Sequence, residues 1–463
     1  MYSIKKAIFL QRLNKSIDFF SSEKQSLSSK NLVSLFAILI GFFSIENVLS
    51  QTVNDMTQMG SNPVLPKPQK QLIPTVNIAP AIGWPSGMKP IAPPGFSVTV
   101  FSNNLDHPRW LYVLPNGDVL VAETNAPPKP DDSKGIKGFV MKKVMKKAGA
   151  GVASANRVTL LRGVSKEGVA EVKTAFLEGL NSPFGMALVG EYLYIADTDA
   201  VLRFPYKEGD TKITAKPTKI ADLPAGTINH HWTKNIIASR DGTRLYVSVG
   251  SNSNVGENGI EVETNRADIL EITIKTGAIR VFASGLRNPV GMAWQPENGS
   301  LWTAVNERDE LGDDLVPDYM TSVKEGAFYG WPYSYFGQNI DMRMQPQRPD
   351  LVESAIKPDF ALGAHTASLG LSFYDANLFS PHYKNGAFVG QHGSWNRKLH
   401  SGYKVIFVPF VNGHPTGEVE DFLTGFLSKD HEAYGRPVGV AVDKKGALLV
   451  ADDVGNMIWR IAK

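Results

Sequence analysis

The stretch that decides the fold is residues 288–304, which reads NPVGMAWQPENGSLWTA. A Pro-x-Gly element leads into an apolar run, a polar turn with Asn298-Gly299 follows, and a second apolar run begins at Leu301. Two short apolar runs joined by a glycine-containing turn predict a β-hairpin. The same arrangement recurs five more times, beginning near His107, Ser182, His231, Ser368 and Arg436.

Six hairpins, each followed by enough chain for two more strands, match the four-stranded blades of a propeller. The repeats are spaced at roughly 50 to 80 residues, which leaves room for long loops between strands. The sequence therefore predicts an all-β protein, a six-bladed β-propeller of four-stranded antiparallel blades, over residues 95–463.

The composition excludes several classes of function. The 463 residues include no cysteine, which rules out a disulfide scaffold, a thiolate metal site and a cysteine nucleophile. The net charge of +3 lies within residues 1–50, which hold six basic and three acidic side chains, so residues 51–463 are neutral overall. A broad basic surface for nucleic acid is therefore not expected.

Two segments precede the predicted propeller. Residues 1–50 combine basic side chains with an apolar run at 32–45, which is shorter than the ~20 residues of a membrane-spanning helix. This pattern predicts a signal peptide and export to a periplasm or the exterior. An uncleaved anchor is the alternative, and it is the one membrane association that we expect. Residues 51–94 are rich in proline and predict a linker that wraps the domain surface or connects it to the anchor.

Basic and imidazole side chains stand where the repeats begin. In a propeller the loops that enter the innermost strands meet at one mouth of the ring, so these side chains are candidates for a common site. Any one of them could instead cap a turn, and a propeller fold alone does not identify a function. The candidates are His107, Arg109, His230, His231, Arg287, Asn288, His365 and Arg436.

Two further motifs carry chemistry. Residues 306–314 (NERDELGDD) contain five carboxylates, which suit Ca²⁺ better than zinc, although an acidic surface loop is the alternative. Residues 391–397 (QHGSWNR) offer Trp395 for stacking on a planar ring and Arg397 for pairing with a carboxylate. The sequence shows neither a glycine-rich dinucleotide loop nor a Gly-x-Ser-x-Gly nucleophile motif.

Four segments together resemble the glucose/sorbosone dehydrogenase family. They are the RNPVG motif at 287–291, the stretch around His231 up to Gly250, FYGWP at 328–332 and GSWNR at 393–397. Members of this family are secreted six-bladed propellers that use pyrroloquinoline quinone (PQQ) and calcium. The L-sorbosone dehydrogenase and pyranose dehydrogenase branch is the most similar, and the resemblance covers residues 95–463.

The resemblance implies a reaction and the residues that perform it. A sugar or sugar aldehyde is oxidised at C1 by hydride transfer to PQQ, and the electrons pass to an external acceptor such as a cytochrome or the quinone pool. His231 falls at the catalytic base and Arg287 beside it. The cofactor-binding positions fall on Asn288, Trp395, Arg397 and Arg436. The calcium next to the quinone falls on the backbone carbonyls of Arg308 and Asp309, and a second calcium on Asp313, Asp314 and Tyr329.

Two other functions stay open at this point. One is a propeller lactonase or hydrolase, which would need a metal but no quinone. The other is a non-catalytic propeller that binds a sugar or a protein.

Overall fold

The computed structural model describes residues 57–69, 75–128 and 146–463. The chain divides into two compact units, Met1–Asn54 and Asp55–Lys463, and every described residue belongs to the second. The predicted signal peptide at 1–50 therefore lies outside the described residues. Among those that are described, no helix is long and apolar enough to cross a membrane.

The second unit is a six-bladed β-propeller, which confirms the predicted fold class. In all six blades the two strands of the sequence repeat form the innermost pair. From the inside outward, blade 1 contains the strands Pro108–Val113, Val119–Glu123, Arg157–Arg162 and Val172–Leu177. Blade 2 contains Met186–Val189, Tyr192–Ala196, Ala200–Pro205 and Thr218–Asp222. Blade 3 contains Lys234–Ala238, Arg244–Val249, Asp268–Thr273 and Ile279–Ala283. In the same order, blade 4 contains Pro289–Trp294, Leu301–Val305, Pro317–Ser322 and Phe360–Ala364. Blade 5 contains Ser368–Phe373, Ala387–Gln391, Lys404–Val408 and Glu420–Leu423. Blade 6 contains Pro437–Val442, Leu448–Asp452, Met457–Ala462 and Ser97–Ser102.

Other regular structure within the described ranges is short. One α-helix, Pro349–Ser354, and two 3₁₀ turns, Glu261–Glu263 and Pro381–Tyr383, interrupt the strands. The loops also contain two small hairpins, formed by Ser334–Tyr335 with Asn339–Ile340 and by Phe410–Val411 with His414–Pro415.

Blade 6 joins the two ends of the ring. Its outermost strand, Ser97–Ser102, comes from the N-terminal side of the domain and pairs with Met457–Ala462, with Val100 opposite Trp459. The main-chain hydrogen bonds of one sheet therefore close the propeller, because they tie the start of the ring to its end.

The glycines of the repeat allow the innermost strands to meet at the centre of the ring. A Cβ atom on Gly291 would lie 2.7 Å from the Leu369 carbonyl oxygen of the next blade, and one on Gly370 would overlap the Val438 carbonyl. Strands converge most closely at the axis, so only a residue without a side chain fits there. This contact gives the physical reason for the Pro-x-Gly element of the repeat.

The proline-rich segment is packed on the propeller wherever it is described. Met59–Gly60 pairs with Phe360–Ala364 as a fifth strand of blade 4. Farther along, Trp84 donates a hydrogen bond to Asp452 (2.6 Å) and packs against Trp459 (ring centroids 5.0 Å apart). Of the two roles expected for residues 51–94, the described parts follow the first, because they wrap the surface of the domain.

Candidate active site

One face of the ring collects the starts of the innermost strands and the ends of the second strands. The two are paired antiparallel, so that Lys234 lies opposite Val249 and Pro437 opposite Asp452. Loops from different blades thus meet on this face, as the positions of the basic and imidazole residues predicted. The side chains brought there include His107 and Arg109 from blade 1, His231 before blade 3, Arg287 and Asn288 before blade 4, His365 before blade 5 and Arg436 before blade 6.

His231 is held in one tautomer by Ser251, which lies beside it on this face of the ring. Its Nδ1 atom lies 2.7 Å from the carbonyl oxygen of Ser251 and 3.1 Å from the hydroxyl of the same residue. A carbonyl can only accept, so Nδ1 carries the proton and donates it, and the basic lone pair of the neutral ring is on Nε2. Ser251 is fixed in turn, because its N–H donates to the Arg287 carbonyl (2.7 Å). The arrangement prepares Nε2 of His231 to accept a proton.

The loop that carries His231 is tied down by the buried Arg266. One nitrogen of its guanidinium, Nη2, donates to the carbonyls of Pro224 (3.1 Å) and Ala225 (2.8 Å) and to Oδ1 of Asn229 (3.0 Å). The other, Nη1, donates to the Gly250 carbonyl (3.3 Å), directly before Ser251. One side chain therefore connects the two backbone segments that together orient His231.

A buried lysine lies directly beneath His231. The side chain of Lys234 is wholly buried, and its Nζ donates to the carbonyl of Trp232 at 3.2 Å and reaches that of His231 at 3.5 Å. Thr198 donates to the same Trp232 carbonyl (2.9 Å). Burial lowers the pKa of Lys234 well below its ordinary value, and the nearby charge of Arg266 lowers it further.

Asn288 and Arg287 lie next to His231. A Cβ atom on Gly250 would collide with both Asn288 Oδ1 and the His231 side chain, so this glycine lets the two approach. Within the described residues, Oδ1 of Asn288 is buried without a hydrogen-bond partner. The Arg287 guanidinium donates to the carbonyl of Glu307 (2.6 Å) and to Oδ1 of Asn254 (3.0 Å), and thus orders the loop after the second strand of blade 4.

Two arginines with little exposure, Arg109 and Arg436, lie at the mouth. Arg109 donates to Asp453 (2.7 Å), and its guanidinium carbon lies 5.9 Å from the ring centre of Trp232, the neighbour of His231. Burial lowers the pKa of Arg109; the charge of Asp453 opposes this effect, and the charge of Arg436 adds to it. Among the described residues, the Nε atoms of Arg109 and Arg436 are both buried and lack a hydrogen-bond partner. Such donors suit an anionic ligand.

Asp453 is the buried anion that balances these charges. Its Oδ2 accepts from Nε2 of His392 at 2.9 Å, and His107 Nε2 lies 3.4 Å away. Burial alone would raise the pKa of Asp453, but His392, His107 and Arg109 outweigh it and lower this pKa far below its usual range. Burial lowers the pKa of His107 to about 4, so this histidine is neutral at neutral pH.

Asp309 is the centre of a second cluster on the same face. Its Oδ1 accepts from Asn396 Nδ2 (2.7 Å) and lies 3.4 Å from His365 Nδ1, and Oδ2 lies 3.4 Å from Arg287 Nη2. Burial would raise the pKa of Asp309, yet hydrogen bonding to His365 and the charge of Arg287 lower it to about 2. The carboxylate is therefore ionised, and the basic groups around it compensate its charge.

Of the two backbone carbonyls predicted to hold the first calcium, that of Asp309 is engaged in other contacts. The Asp309 carbonyl accepts from Nε (3.1 Å) and Nη2 (2.7 Å) of Arg308 and from Nδ2 of Asn254 (3.2 Å). The Arg308 side chain is buried and forms an ion pair with Asp341. A carbonyl with three N–H donors, two of them on a cation, does not fit a divalent metal ion.

The residues predicted for the second calcium are not brought together. Asp314 binds Arg397 Nη2 (2.8 Å), and Asp313 accepts from Thr75 (3.1 Å). The Tyr329 hydroxyl instead donates to the Ser322 carbonyl (2.6 Å). In the part of the chain that the structure describes, no group of three or more His, Asp or Glu side chains is arranged to hold a metal ion.

A scan against protein-family models matches the TrAA12-like family over residues 90–326 and 338–463. The chain belongs to the TrAA12-like family. This match confirms the resemblance to PQQ-dependent sugar dehydrogenases that the sequence motifs indicated. The predicted link to L-sorbosone is not part of this result.

Of two relatives of this TrAA12-like chain, one has a name that states an activity and the other does not. An uncharacterized protein of Borreliella burgdorferi is 30% identical over 297 residues, which are 61% of this chain and 76% of that protein. A pyrroloquinoline quinone-dependent sugar dehydrogenase of Hypocrea jecorina is 24% identical over 331 residues, covering 60% of this chain and 73% of the relative.

Solved structures show the same fold as this TrAA12-like propeller. The holo PQQ domain of pyranose dehydrogenase from Coprinopsis cinerea superposes with a TM-score of 0.65 at 20% identity, covering 87% of this chain and 99% of that one. The calcium structure of the Trichoderma reesei enzyme of family AA12 gives 0.64 at 19% identity, covering 84% and 99%. At this level of identity the likeness supports the fold alone.

Sequence reasoning missed the residues that support the TrAA12-like site from below. Arg266 and Asp453 are conspicuous only after folding, because each acts on a segment from another part of the chain. Lys234 contacts the neighbouring carbonyls of His231 and Trp232, and only its burial in the fold makes it stand out. Asp453 could have been found from the sequence, because it directly follows the second strand of the sixth repeat, at the position that Asn306 occupies in blade 4. Trp395 was predicted, and the structure places it half-buried in the loop that follows the second strand of blade 5.

Proposed function

We propose that this chain is a PQQ-dependent dehydrogenase that oxidises a sugar or sugar aldehyde at C1. Membership of the TrAA12-like family supports the oxidoreductase class, and the name of the Hypocrea relative supports PQQ and a sugar substrate. The observation that carries the proposal is the pair of buried, unpartnered guanidinium nitrogens of Arg109 and Arg436 on the face that holds His231.

The residues present fit PQQ. A planar molecule with three carboxylates requires buried cationic donors, and Arg109, Arg397 and Arg436 lie on the same face of the ring. Trp395, half-buried in the loop that also carries Arg397, is available to stack on a planar ring. When bound, PQQ supplies an ortho-quinone that accepts the two electrons released at the sugar carbon.

The role of His231 follows from its tautomer. With the cofactor bound, Nε2 would take the proton of the C1 hydroxyl, or of the hydrated aldehyde, as C1 is oxidised. The substrate carbon becomes a carbonyl, and the protonated imidazole is stabilised by the Ser251 carbonyl at Nδ1. Arg287 orders the neighbouring loop, and the unpartnered Oδ1 of Asn288 is available to accept a hydroxyl of the sugar.

A related structure of family AA12 is a calcium structure, and the Asp309 carbonyl that the resemblance assigns to calcium accepts hydrogen bonds from Arg308 and Asn254 in this chain. A metal ion at the Asp309 carbonyl would have to displace the Arg308 guanidinium. We therefore assign no step to calcium. Electron transfer to an external acceptor belongs to the same proposal, because the reduced cofactor must be reoxidised and the chain has no cysteine for a c-type haem. Export of the chain is also part of the proposal.

The test compares His231→Gln with wild type after both apo-proteins are titrated with PQQ. We expect both to bind PQQ, and the variant to lose about 10²- to 10⁴-fold in turnover with an aldose and an artificial electron acceptor. His382→Gln is the matched control, because His382 is exposed and pairs only with Glu420 (2.8 Å).

Two results would contradict the proposal. Near-normal turnover in His231→Gln would remove the base assignment. A wild-type protein that binds no PQQ, together with metal-dependent hydrolysis of a lactone, would support the hydrolase alternative instead.

A further inference from the structure

Residues 75–84 (TVNIAPAIGW), here called the strap, cross the face of the ring that carries the site. The strap precedes the propeller in sequence, yet it contacts loops of three blades. Thr75 donates to Asp313 in the loop of blade 4 (3.1 Å), Asn77 contacts the loop of blade 5, and Ile82 donates to the Ala433 carbonyl ahead of blade 6 (2.9 Å). The strap therefore links loops of three blades, and the loops of blades 4 and 5 are also joined directly by Asp314 and Arg397 (2.8 Å).

Asn77 clamps the backbone of the loop that carries Trp395 and Arg397. Its main-chain N–H donates to the Trp395 carbonyl (2.8 Å), and its Nδ2 donates to the carbonyls of both Arg397 (3.2 Å) and Lys398 (2.8 Å). Three hydrogen bonds from one residue, all to main-chain acceptors, determine where this loop lies over the mouth.

The next residues of the strap hold the arginine of blade 6. The Ala79 carbonyl accepts from Arg436 Nη2 (3.3 Å), and the guanidinium carbon of Arg436 lies 4.9 Å from the ring centre of Tyr403. The backbone just before this arginine is also bound to the strap, because Ala433 N donates to the Pro80 carbonyl (2.7 Å). The strap thus orients the side chain and fixes the loop from which it projects.

We propose that the strap is part of the cofactor site and positions Arg397 and Arg436 for one polyanionic planar ligand. The inference rests on the proposed function, which names that ligand as PQQ. The two guanidiniums project from loops of different blades, so their separation is set by whatever joins those loops. Carboxylate pairing by arginine depends on geometry, and a preorganised pair loses less side-chain entropy when the ligand binds.

The test is the affinity of apo-protein for PQQ, measured by quenching of tryptophan fluorescence, in wild type and Asn77→Ala. We expect the dissociation constant to rise at least tenfold in the variant, a loss of about 1.4 kcal/mol of binding free energy. Asn62→Ala is the matched control. It removes an asparagine from the same proline-rich segment, but Asn62 contacts exposed Lys357 (3.1 Å) at blade 4 and should leave the affinity unchanged.

A second variant guards against misfolding. Asn77→Asp keeps the size of the side chain but directs an acceptor at the carbonyls of Arg397 and Lys398, so it should weaken PQQ binding even in a fully folded protein. Wild-type affinity in both variants would overturn the inference, as would a lower melting temperature with unchanged affinity, which would mean a purely structural strap. Failure of wild type to bind PQQ would contradict the proposed function itself, and the two failures are therefore distinguishable.

Discussion

Replacing Lys234 by methionine should stabilise the protein at neutral pH. The side chain is wholly buried, and its ammonium is within reach of only two carbonyls, one at 3.2 Å and the other at 3.5 Å. Burial lowers the pKa of Lys234 well below its ordinary value, and each unit of that lowering corresponds to about 1.4 kcal/mol of lost folding stability when the pH lies below both values. Methionine has a similar unbranched stem and carries no charge.

The stability lost when the hydrogen bond of the ammonium is removed is smaller than this gain. Removing the ammonium takes one donor from the Trp232 carbonyl, which costs about 1 kcal/mol, and Thr198 still donates to that oxygen (2.9 Å). The net effect of Lys234→Met at pH 7 is therefore a higher free energy of unfolding. Turnover should nonetheless fall, because the same side chain fixes the backbone directly after His231.

The pH dependence gives the sharper readout. Between the lowered pKa of Lys234 in the folded protein and the ordinary lysine pKa of about 10.4, the unfolded chain holds a proton that the folded protein has released. The stability of wild type therefore rises with pH between these two values. The variant lacks this contribution, and the difference between the two should shrink by up to about 1.4 kcal/mol per pH unit toward pH 10.

Urea unfolding at pH 7 and pH 9.5 measures this difference. Lys219→Met is the control, because Lys219 is exposed and pairs with Asp222 at the surface (2.6 Å). A Lys234→Met protein that is less stable than wild type at pH 7, or that has the same pH dependence, would refute the reasoning.

Two further predictions concern the packing and the electrostatics of the ring. Gly370→Ala would place a Cβ atom onto the Val438 carbonyl and should destabilise the domain by about 3 kcal/mol or more, measured by thermal unfolding; an unchanged melting temperature would show that the blades are not in close contact there. Burial raises the pKa of Asp268 to about 8, so the folded protein holds a proton that the unfolded chain releases, and wild-type stability should fall as pH rises from about 4 to about 8. Asp268→Asn should make this decline smaller, because other buried carboxyl groups such as Asp197 and Glu307 also have raised pKa values. Urea unfolding at pH 5 and pH 8 will test this, and an equal decline in both proteins would contradict the assignment.

The fold was predictable from the sequence because its unit is local. A hairpin such as that of residues 288–304 is specified by neighbouring residues, and its recurrence in six copies indicates how many blades the ring contains. The position of His231 at the mouth follows for the same reason, since it directly precedes the innermost strand of its blade.

The support of the site was not predictable in this way. Arg266 acts on Pro224 and Gly250, and Asn77 acts on Arg397, through contacts between segments that are distant in sequence. The sequence left open whether the proline-rich residues wrap the domain or link it to an anchor, and only the contacts of the strap with the loops show that residues 75–84 wrap it. Likewise the Arg308 guanidinium occupies the carbonyl to which the family resemblance assigned a metal ion.

The six repeats, the glycines that let their strands converge, and the histidines and arginines at the start of five of the six blades are all visible in the sequence. Each of these depends on a few adjacent residues. Only the tertiary structure decided which tautomer His231 adopts, which of the arginines keep unpartnered donors, and that the strap joins loops of three blades. Those properties depend on distances between blades, which no local pattern encodes because they are set when the ring closes.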